Sequence, residues 1–263
     1  MSRTRRTGRR SPLASVALLL IGLLATGGAY ALVTSSATAS TSTASSTAAT
    51  ADEGEKLFLA NCSSCHGIGA VGTTDAPSLI GVGAAAVDFQ VGTGRMPMAA
   101  SGPQAEAKPV QFTDDQIAAL AAYVATLGEG PGIPTDATLT SSDDVAAGAE
   151  LFRINCAMCH NVAGAGGALT EGKFAPELRN VDPAHVYEAM VTGPQNMPVF
   201  NDLNITPEDK ADIIAYLEYL NDHPSPGGLD LGGLGPVSEG LFVWIFALGA
   251  IVAVTVWLTA KSN

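Results

Sequence analysis

Apolar residues form two long uninterrupted runs along the chain, one near each end. Residues 12–33 are 22 positions without a charge, and residues 240–260 are 21. A helix that crosses the hydrocarbon core of a bilayer needs about 20 apolar residues, so either run is long enough. The pattern therefore predicts two transmembrane helices, the second with Trp244 and Trp257 near its ends as interfacial anchors.

The N-terminal run also fits a second interpretation. An Arg-rich start and small-residue sites such as Ala37-Thr38-Ala39 are typical of a cleaved secretory signal peptide. The apolar stretch exceeds the roughly 7–15 residues of a usual signal core, which favours a retained anchor. In both cases the five arginines before this run, and Lys261 after the second run, mark the cytoplasmic side, so the intervening region lies outside.

Within the intervening region, apolar positions recur at helical spacing in residues 112–127 and 205–220. Thr113 and Thr206 are suitable N-cap residues, and acidic residues follow each of them in the first turn. The apolar residues fall on one face of each predicted helix. They are Ile117, Leu120, Val124 and Leu127 in the first helix, and Ile213, Leu217 and Leu220 in the second.

These helices belong to an internal repeat. The segment GEKLFLANCSSCHG (54–67) returns as GAELFRINCAMCHN (148–161) at an offset of 94 residues, and the amphipathic helices repeat at an offset of 93. Duplication of one helical domain explains both offsets. Gly54 and Gly148 lack side chains where the first helix of each repeat is expected to cross the later one.

All four cysteines lie in two copies of the motif C-x-x-C-H, which is the attachment signature of c-type haem. Each thiol of such a motif adds to one porphyrin vinyl group, and the histidine becomes the proximal ligand of the iron. The motifs predict two covalently bound haem c groups. The predicted attachment residues are Cys62, Cys65, Cys156 and Cys159, and the predicted proximal ligands are His66 and His160.

Disulfides, zinc and a thioredoxin-like site are the alternatives for these cysteines. A thioredoxin-like site needs a β-α-β context that the sequence lacks. The two cysteine pairs are 94 residues apart, far beyond the spacing of a compact zinc site, and zinc would leave the histidine after both pairs a coincidence. The duplicated motif therefore favours haem.

A methionine followed by proline supplies a candidate second axial ligand in each repeat. Met96 and Met197 both follow a Thr-Gly pair. Methionine opposite histidine leaves the iron no open position, which favours electron transfer over peroxide chemistry. Met98 and Met190 are alternative ligands, although Met190 falls in a predicted helix.

The remaining histidines and two prolines complete the candidate site residues. We expect His185 and His223 at the surface, although a bis-histidine haem would need one of them. Pro77 and Pro176 lie between the histidine and the methionine of each repeat. We hypothesise that a backbone carbonyl there accepts a hydrogen bond from the proximal imidazole; ordinary turns are the alternative.

The predicted fold class is all-α, with two tandem cytochrome c-type helical haem domains between two transmembrane helices. A Ser/Thr/Ala-rich tether and two linkers rich in Pro and Gly separate the parts. The predicted boundaries are 1–34 for the Arg-rich tail and first span, 35–50 for the tether, 51–127 for the first domain, 128–144 for a linker, 145–222 for the second domain, 223–239 for a linker and 240–260 for the second span.

Charge is distributed unevenly along the chain. The formal net charge is −12, but all 25 acids lie between the two apolar runs with only seven basic residues, so that region carries −18. A nucleic-acid-binding protein needs a basic face to neutralise phosphates, and the composition excludes this class.

With these motifs the chain resembles the dihaem cytochrome c subunit of the actinobacterial cytochrome bcc (menaquinol:cytochrome c reductase) complex. The resemblance extends from about Gly54 to the C-terminus. It includes PSLIGVG (77–83), TGRMP (93–97), GPQNMP (193–198) and LGGLGPVSEG (231–240). Asn161 replaces the glycine that commonly follows the motif histidine, which affects no ligand.

The resemblance implies an electron-transfer subunit of a quinol–cytochrome-c reductase that itself turns over no substrate. Its two haems would relay electrons from a Rieske iron–sulfur centre to a haem-copper terminal oxidase. The implied partners are the cytochrome b and Rieske subunits, the oxidase and the cell membrane, with both haem domains on the extracytoplasmic side. A cytochrome subunit of a membrane-bound dehydrogenase and a dihaem peroxidase are the alternatives.

Overall fold

A computed structural model describes residues 16–17, 20–24, 26, 50–100, 102–223, 233 and 236–261. The chain divides into two compact units, Met1–Ala48 and Ala49–Asn263. The second unit contains both repeats and the apolar run near the C-terminus. The described residues of the first unit are helical.

Each repeat forms a small helical domain. The first domain contains α1 (Ala51–Asn61), α2 (Ser63–His66), α3 (Gly83–Gly92) and α4 (Asp114–Ala125). The short helix α5 (Asp136–Leu139) lies in the predicted linker. The second domain contains α6 (Val145–Asn155), α7 (Ala157–His160), β1 (Gly167–Ala168), a 3₁₀ turn (Thr170–Gly172), β2 (Phe174–Ala175), α8 (Pro183–Thr192) and α9 (Pro207–Asp222).

The predicted N-caps begin the helices α4 and α9. The Thr113 hydroxyl accepts a hydrogen bond from the Gln116 backbone N–H, and the Gln116 side chain accepts one from the Thr113 N–H. Thr206 and Asp209 form the same reciprocal pair. Because each pair satisfies two backbone donors at the helix start, both helices begin where the sequence predicts.

Two glycines bring the crossing helices into backbone contact. A Cβ atom on Gly54 of α1 would overlap the Ala119 carbonyl of α4. A Cβ atom on Gly148 of α6 would overlap the Asp212 carbonyl of α9 in the same way. The predicted close crossings are therefore confirmed in both domains.

Each crossing carries a separate hydrophobic core with an aromatic pair. Phe58 and Tyr123 pack with their ring centroids 5.3 Å apart, and Phe152 and Tyr216 pack at 5.5 Å. Of the predicted apolar faces, Leu127 and Leu220 are half-buried and the other members are buried. The duplicated sequence thus builds two similar cores.

The prediction of an all-α fold is wrong at one place. Strands β1 and β2 pair antiparallel, with Gly167 opposite Ala175 and Ala168 opposite Phe174. The second domain has 16 residues from its motif histidine to the following proline where the first domain has 11, and the hairpin lies in this longer connection. The chain is mostly helical with a two-stranded hairpin.

The two domains contact each other through α3 and α8. The Phe89 ring packs edge to face against His185, with centroids 6.2 Å apart. The Gln104 side chain donates to the Phe174 carbonyl and accepts from the Phe174 N–H, both at 2.8 Å. Hence the first domain is hydrogen-bonded to the hairpin of the second.

A single helix among the described residues is long and apolar enough to cross a membrane, Ser238–Lys261. It lies within a continuous helical run of α10 (Pro236–Val243), a π-helical turn (Trp244–Leu248) and α11 (Gly249–Lys261). This helix corresponds to the second predicted span. Most of the first predicted span and nearly all of the tether lie outside the described residues, so their predictions stand as made.

Candidate haem-binding sites

Each C-x-x-C-H motif is folded as one helical turn after a bend in the chain. The first cysteine donates its N–H to the carbonyl of the preceding core phenylalanine at 2.8 Å in both domains. The motif histidine donates its N–H to the carbonyl of that cysteine at 2.9 Å. The two-residue spacer therefore places both thiols and the histidine on neighbouring parts of one turn, and all four thiols are free.

Both motif histidines are buried and held by a proline carbonyl. His66 Nδ1 lies 2.8 Å from the Pro77 oxygen, and His160 Nδ1 lies 2.9 Å from the Pro176 oxygen. This confirms the hypothesis drawn from the two prolines. Because a carbonyl only accepts, Nδ1 carries the proton and the Nε2 lone pair is free to bind a metal.

Burial favours the neutral form of the second imidazole. Desolvation lowers the pKa of His160, and the hydrogen bond to Pro176 opposes that shift. A histidine must be neutral to ligate iron, so the direction of this shift suits a ligand.

The first domain has an apolar cavity of about 600 Å³ beside its motif. Cys62, His66 and Met96 line it together with core residues. The Met96 N–H donates to the Gln90 carbonyl at 2.8 Å, which fixes the methionine loop. Met98 is not among the lining residues. The structure therefore brings Met96, and not Met98, to the predicted ligands.

The second domain has a cavity of about 320 Å³ with the corresponding wall. Cys156, Cys159, His160 and Met197 all line it. Met190 lines it as well, but this residue belongs to the buried core of the domain on α8. The geometry thus places Met197 in the loop position that corresponds to Met96.

Cys65, the second cysteine of the first motif, is the one predicted attachment residue that lines neither cavity. Cys65 is exposed, as is Cys159 in the second domain, whereas Cys62 is half-buried and Cys156 is buried. Desolvation and the neighbouring Cys65 raise the pKa of Cys62, and the same effects with Cys159 raise that of Cys156 to about 11. A raised pKa disfavours the thiolate form, which is the form that binds zinc, so these two thiols are poor zinc ligands.

One of the two remaining histidines contradicts the expectation of a surface position. His185 is half-buried between α3 and α8 and lines the second cavity. His223 is exposed and stacks on Tyr219 at 4.2 Å, as expected. The sequence shows no signal for His185, because its burial depends on contact with the other domain.

Five residues of the first domain also line the second cavity, and two of them, Arg95 and Gln104, carry polar groups that no sequence signal linked to this site. Arg95 and Gln104 line this cavity together with residues of the second domain. The Arg95 guanidinium lies 4.7 Å from the Phe89 ring centroid, and burial lowers its pKa. Arg95 precedes Met96, so its sequence position pointed to the first site only.

Two helical domains, each with a C-x-x-C-H turn on the wall of an apolar cavity, define a c-type cytochrome with two haem domains. Residues 51–128 match the family described as cytochrome c, and residues 143–217 match the family described as cytochrome c oxidase, cbb3-type, subunit III. Two cytochrome c domains imply covalently bound haem c.

The chain is also similar to curated proteins over nearly its whole length. The cytochrome bc1 complex cytochrome c subunit of Corynebacterium efficiens is 43% identical over 276 residues, which cover 99% of this chain and 93% of the relative. The subunit of the same name from Mycobacterium tuberculosis is 44% identical over 267 residues, covering 99% and 95%. This chain therefore belongs to the family of cytochrome bc1 complex cytochrome c subunits, which confirms the resemblance seen in its motifs.

Proposed function

We propose that this chain binds two haem c groups and relays electrons between them as a membrane-anchored subunit of a bc1-type complex. The observation that carries the proposal is that the two cavities adjoin: Pro194 lines both. The proposed residues are Cys62, Cys65, Cys156 and Cys159 for covalent attachment, and His66, Met96, His160 and Met197 as axial ligands.

The chain's own residues suit this role at each site. The haem iron, when bound, supplies a centre that cycles between ferrous and ferric states. Pro77 and Pro176 hold the imidazoles in a fixed orientation, and the apolar walls exclude water. Met96 and Met197 would hold the iron together with the two histidines, and a thioether ligand would raise the potential relative to other ligand pairs. Both sites are therefore suited to outer-sphere electron transfer.

The loop that follows α8 is the proposed contact between the two sites. Gly193 and Val199 line the first cavity, whereas Gln195, Asn196 and Met197 line the second. A single loop thus forms a shared wall. Because one loop forms the wall between the two cavities, electrons can pass directly from one haem to the other without a diffusible carrier.

The wider assignment rests on the family and on charge. We propose that electrons enter from a Rieske centre next to a cytochrome b subunit that oxidises menaquinol, and leave to a haem-copper oxidase. The name of the relatives, cytochrome bc1 complex cytochrome c subunit, supports the bc1-type complex. The helix Ser238–Lys261 supports attachment to the cell membrane. Arginines before the first span and Lys261 after the second support two spans with extracytoplasmic haem domains.

Replacement of the axial methionines tests the haem sites. The full chain is purified in detergent, its covalent haem is counted against protein, and Met96→Leu and Met197→Leu are compared with Met98→Leu and Met190→Leu. We expect two haems per chain. In Met96→Leu and in Met197→Leu, one haem should lose its low-spin, methionine-ligated spectrum, and the potential of that haem should fall. The matched variants should keep both spectra.

The complex is tested separately. Purification of the tagged chain from its membrane should yield cytochrome b and Rieske subunits, and added quinol should reduce both haems. A chain that arrives with a dehydrogenase contradicts the bc1 assignment. High-spin haem that is insensitive to Met197→Leu contradicts the relay and indicates a peroxidase.

A further inference from the structure

Three metal-ligating side chains meet where the two haem domains touch. Asp88 lies on α3 of the first domain, and His185 and Glu188 lie three residues apart on α8 of the second, so they share one helix face. One ligand atom from each of the three lies within 4.8 Å of the others. His185 Nε2 is 3.8 Å from Asp88 Oδ2.

Glu188 has no partner for its charge. The residue is 0% exposed, and neither carboxylate oxygen meets a hydrogen-bond donor among the residues that the structure describes. The Asp88 carboxyl is within hydrogen-bonding reach, but two ionised carboxylates have no proton between them. A buried ionised carboxylate without a partner is strongly unfavourable, so Glu188 must either take up a proton or meet a positive charge.

No basic side chain forms an ion pair with Glu188 among the residues that the structure describes. Burial, Asp88 and Asp182 together raise the pKa of Glu188 to about 9. The ion pairs of Lys173, Arg179 and Lys210 go to other acids. Three candidates can neutralise these carboxyls: a proton that they share, a protonated His185, and a metal cation.

We propose that Asp88, His185 and Glu188 bind one divalent transition-metal ion, of the Zn²⁺ type, which fastens the two haem domains together. Imidazole and carboxylate are both ligand types that bind such ions, and a dication neutralises the two carboxylates. Neither the relay nor the haem ligation uses these three residues. The proposal therefore goes beyond the function proposed above.

The geometry suits such an ion. Ligand atoms around a tetrahedral Zn²⁺ are about 3.3–3.4 Å apart when each bond is about 2.0–2.1 Å. The His185–Asp88 distance of 3.8 Å closes to this value with a small side-chain movement. A Cβ atom on Gly92 would come within 2.9 Å of His185 Nε2, so this glycine leaves room for the ring.

Solvent reaches the site from one side. The side chains of His185 and Asp88 are 22% and 24% exposed, whereas Glu188 is fully buried. An ion therefore has an entry path, and a water molecule can complete the coordination. His185 also lines the second cavity, so occupancy of the metal site should be detectable at the second haem.

Zinc titration of the haem-loaded full chain in detergent tests the proposal. After chelator treatment and dialysis, Zn²⁺ is added and the bound zinc is measured by elemental analysis. We expect one Zn²⁺ per chain and a rise in the melting temperature that a chelator reverses. Zinc should also raise the potential of the second haem, because a nearby dication favours the reduced state.

His185→Gln and Glu188→Gln should each weaken zinc binding at least tenfold. His223→Gln and Glu218→Gln replace exposed residues of the same types and should bind zinc like the unaltered chain. His185→Gln decides the question if Glu188→Gln does not fold, because His185 is only half-buried. Absence of stoichiometric zinc, or undiminished binding by His185→Gln, overturns the proposal. A chain that binds no zinc and gains stability from Glu188→Gln indicates a shared proton and also overturns it.

Discussion

Replacement of Gly148 by alanine tests whether the crossing of α6 and α9 holds the second domain together. A Cβ atom there overlaps the Asp212 carbonyl and lies 3.0 Å from the Ile213 nitrogen. Both obstacles are backbone atoms, so a change of rotamer relieves neither. The two helices must instead separate by a distance on the order of 1 Å, which opens a gap in their packed interface.

The cost follows from the packing on both sides of the crossing. A gap of about 0.5–1 Å forfeits a quarter to a half of the dispersion attraction of the atoms that face it. Overpacked cores lose about 1–3 kcal/mol. We expect the upper end of this range, because Phe152 and Ile213 are fully buried beside the crossing. Alanine returns up to about 1 kcal/mol through helix propensity, which leaves a net loss of about 2 kcal/mol, or roughly 30-fold in the unfolding equilibrium.

Denaturant unfolding of the haem-loaded full chain measures this loss. The transition is followed by circular dichroism and by the absorbance of the second haem, whose cavity is lined by residues of both helices. Gly132→Ala is the control: it lies in the linker, and its Cβ would meet nothing within 4 Å. We expect this control to change stability by less than about 0.5 kcal/mol. Equal stability of the two variants would refute the close crossing.

Four further predictions test other parts of the chain. Cys156→Ala should leave the second domain unfolded, because a small domain depends on its covalent cofactor for buried apolar surface; protease resistance of that domain would contradict this. Thr206→Ala should cost about 1 kcal/mol in unfolding free energy by removing the α9 cap, with Thr170→Ala as a control outside the caps. Gln104→Ala should weaken the domain contact by about 1–3 kcal/mol through two lost hydrogen bonds, seen as faster proteolysis of linker 128–144, whereas Gln111→Ala should not. Deletion of residues 236–263 should leave the chain membrane-bound if the first span is retained; release into the soluble fraction would indicate a cleaved signal peptide.

The sequence predicts those parts of the site that depend on residues close together in the chain. The spacing within C-x-x-C-H fixes one helical turn, and the Thr caps fix where α4 and α9 begin. The prediction that Pro77 and Pro176 hold the histidines succeeded because both copies of the repeat keep a proline between histidine and methionine. Duplication made these features recognisable twice.

The parts that the sequence did not predict depend on contacts between the repeats or on their differences. Five additional residues before Pro176 provide the length for a hairpin, but hairpin pairing leaves little periodic signal in two-residue strands. His185 and Arg95 take their positions from the contact of one domain with the other. The spacing of apolar residues within a single helix gives no information about a contact with another domain.

Each haem cavity depends on residues of both domains, which gives a reason for their presence in one chain. Gln104 and Arg95 of the first domain complete the wall of the second cavity, and Pro194 and Val199 of the second domain complete the wall of the first. Each cavity is therefore closed partly by the other domain. Separation of the domains would admit water to both cavities and remove the shared loop, so the proposed electron relay would be lost although each domain keeps its own candidate ligands. The pair of domains is therefore the unit that performs the proposed relay.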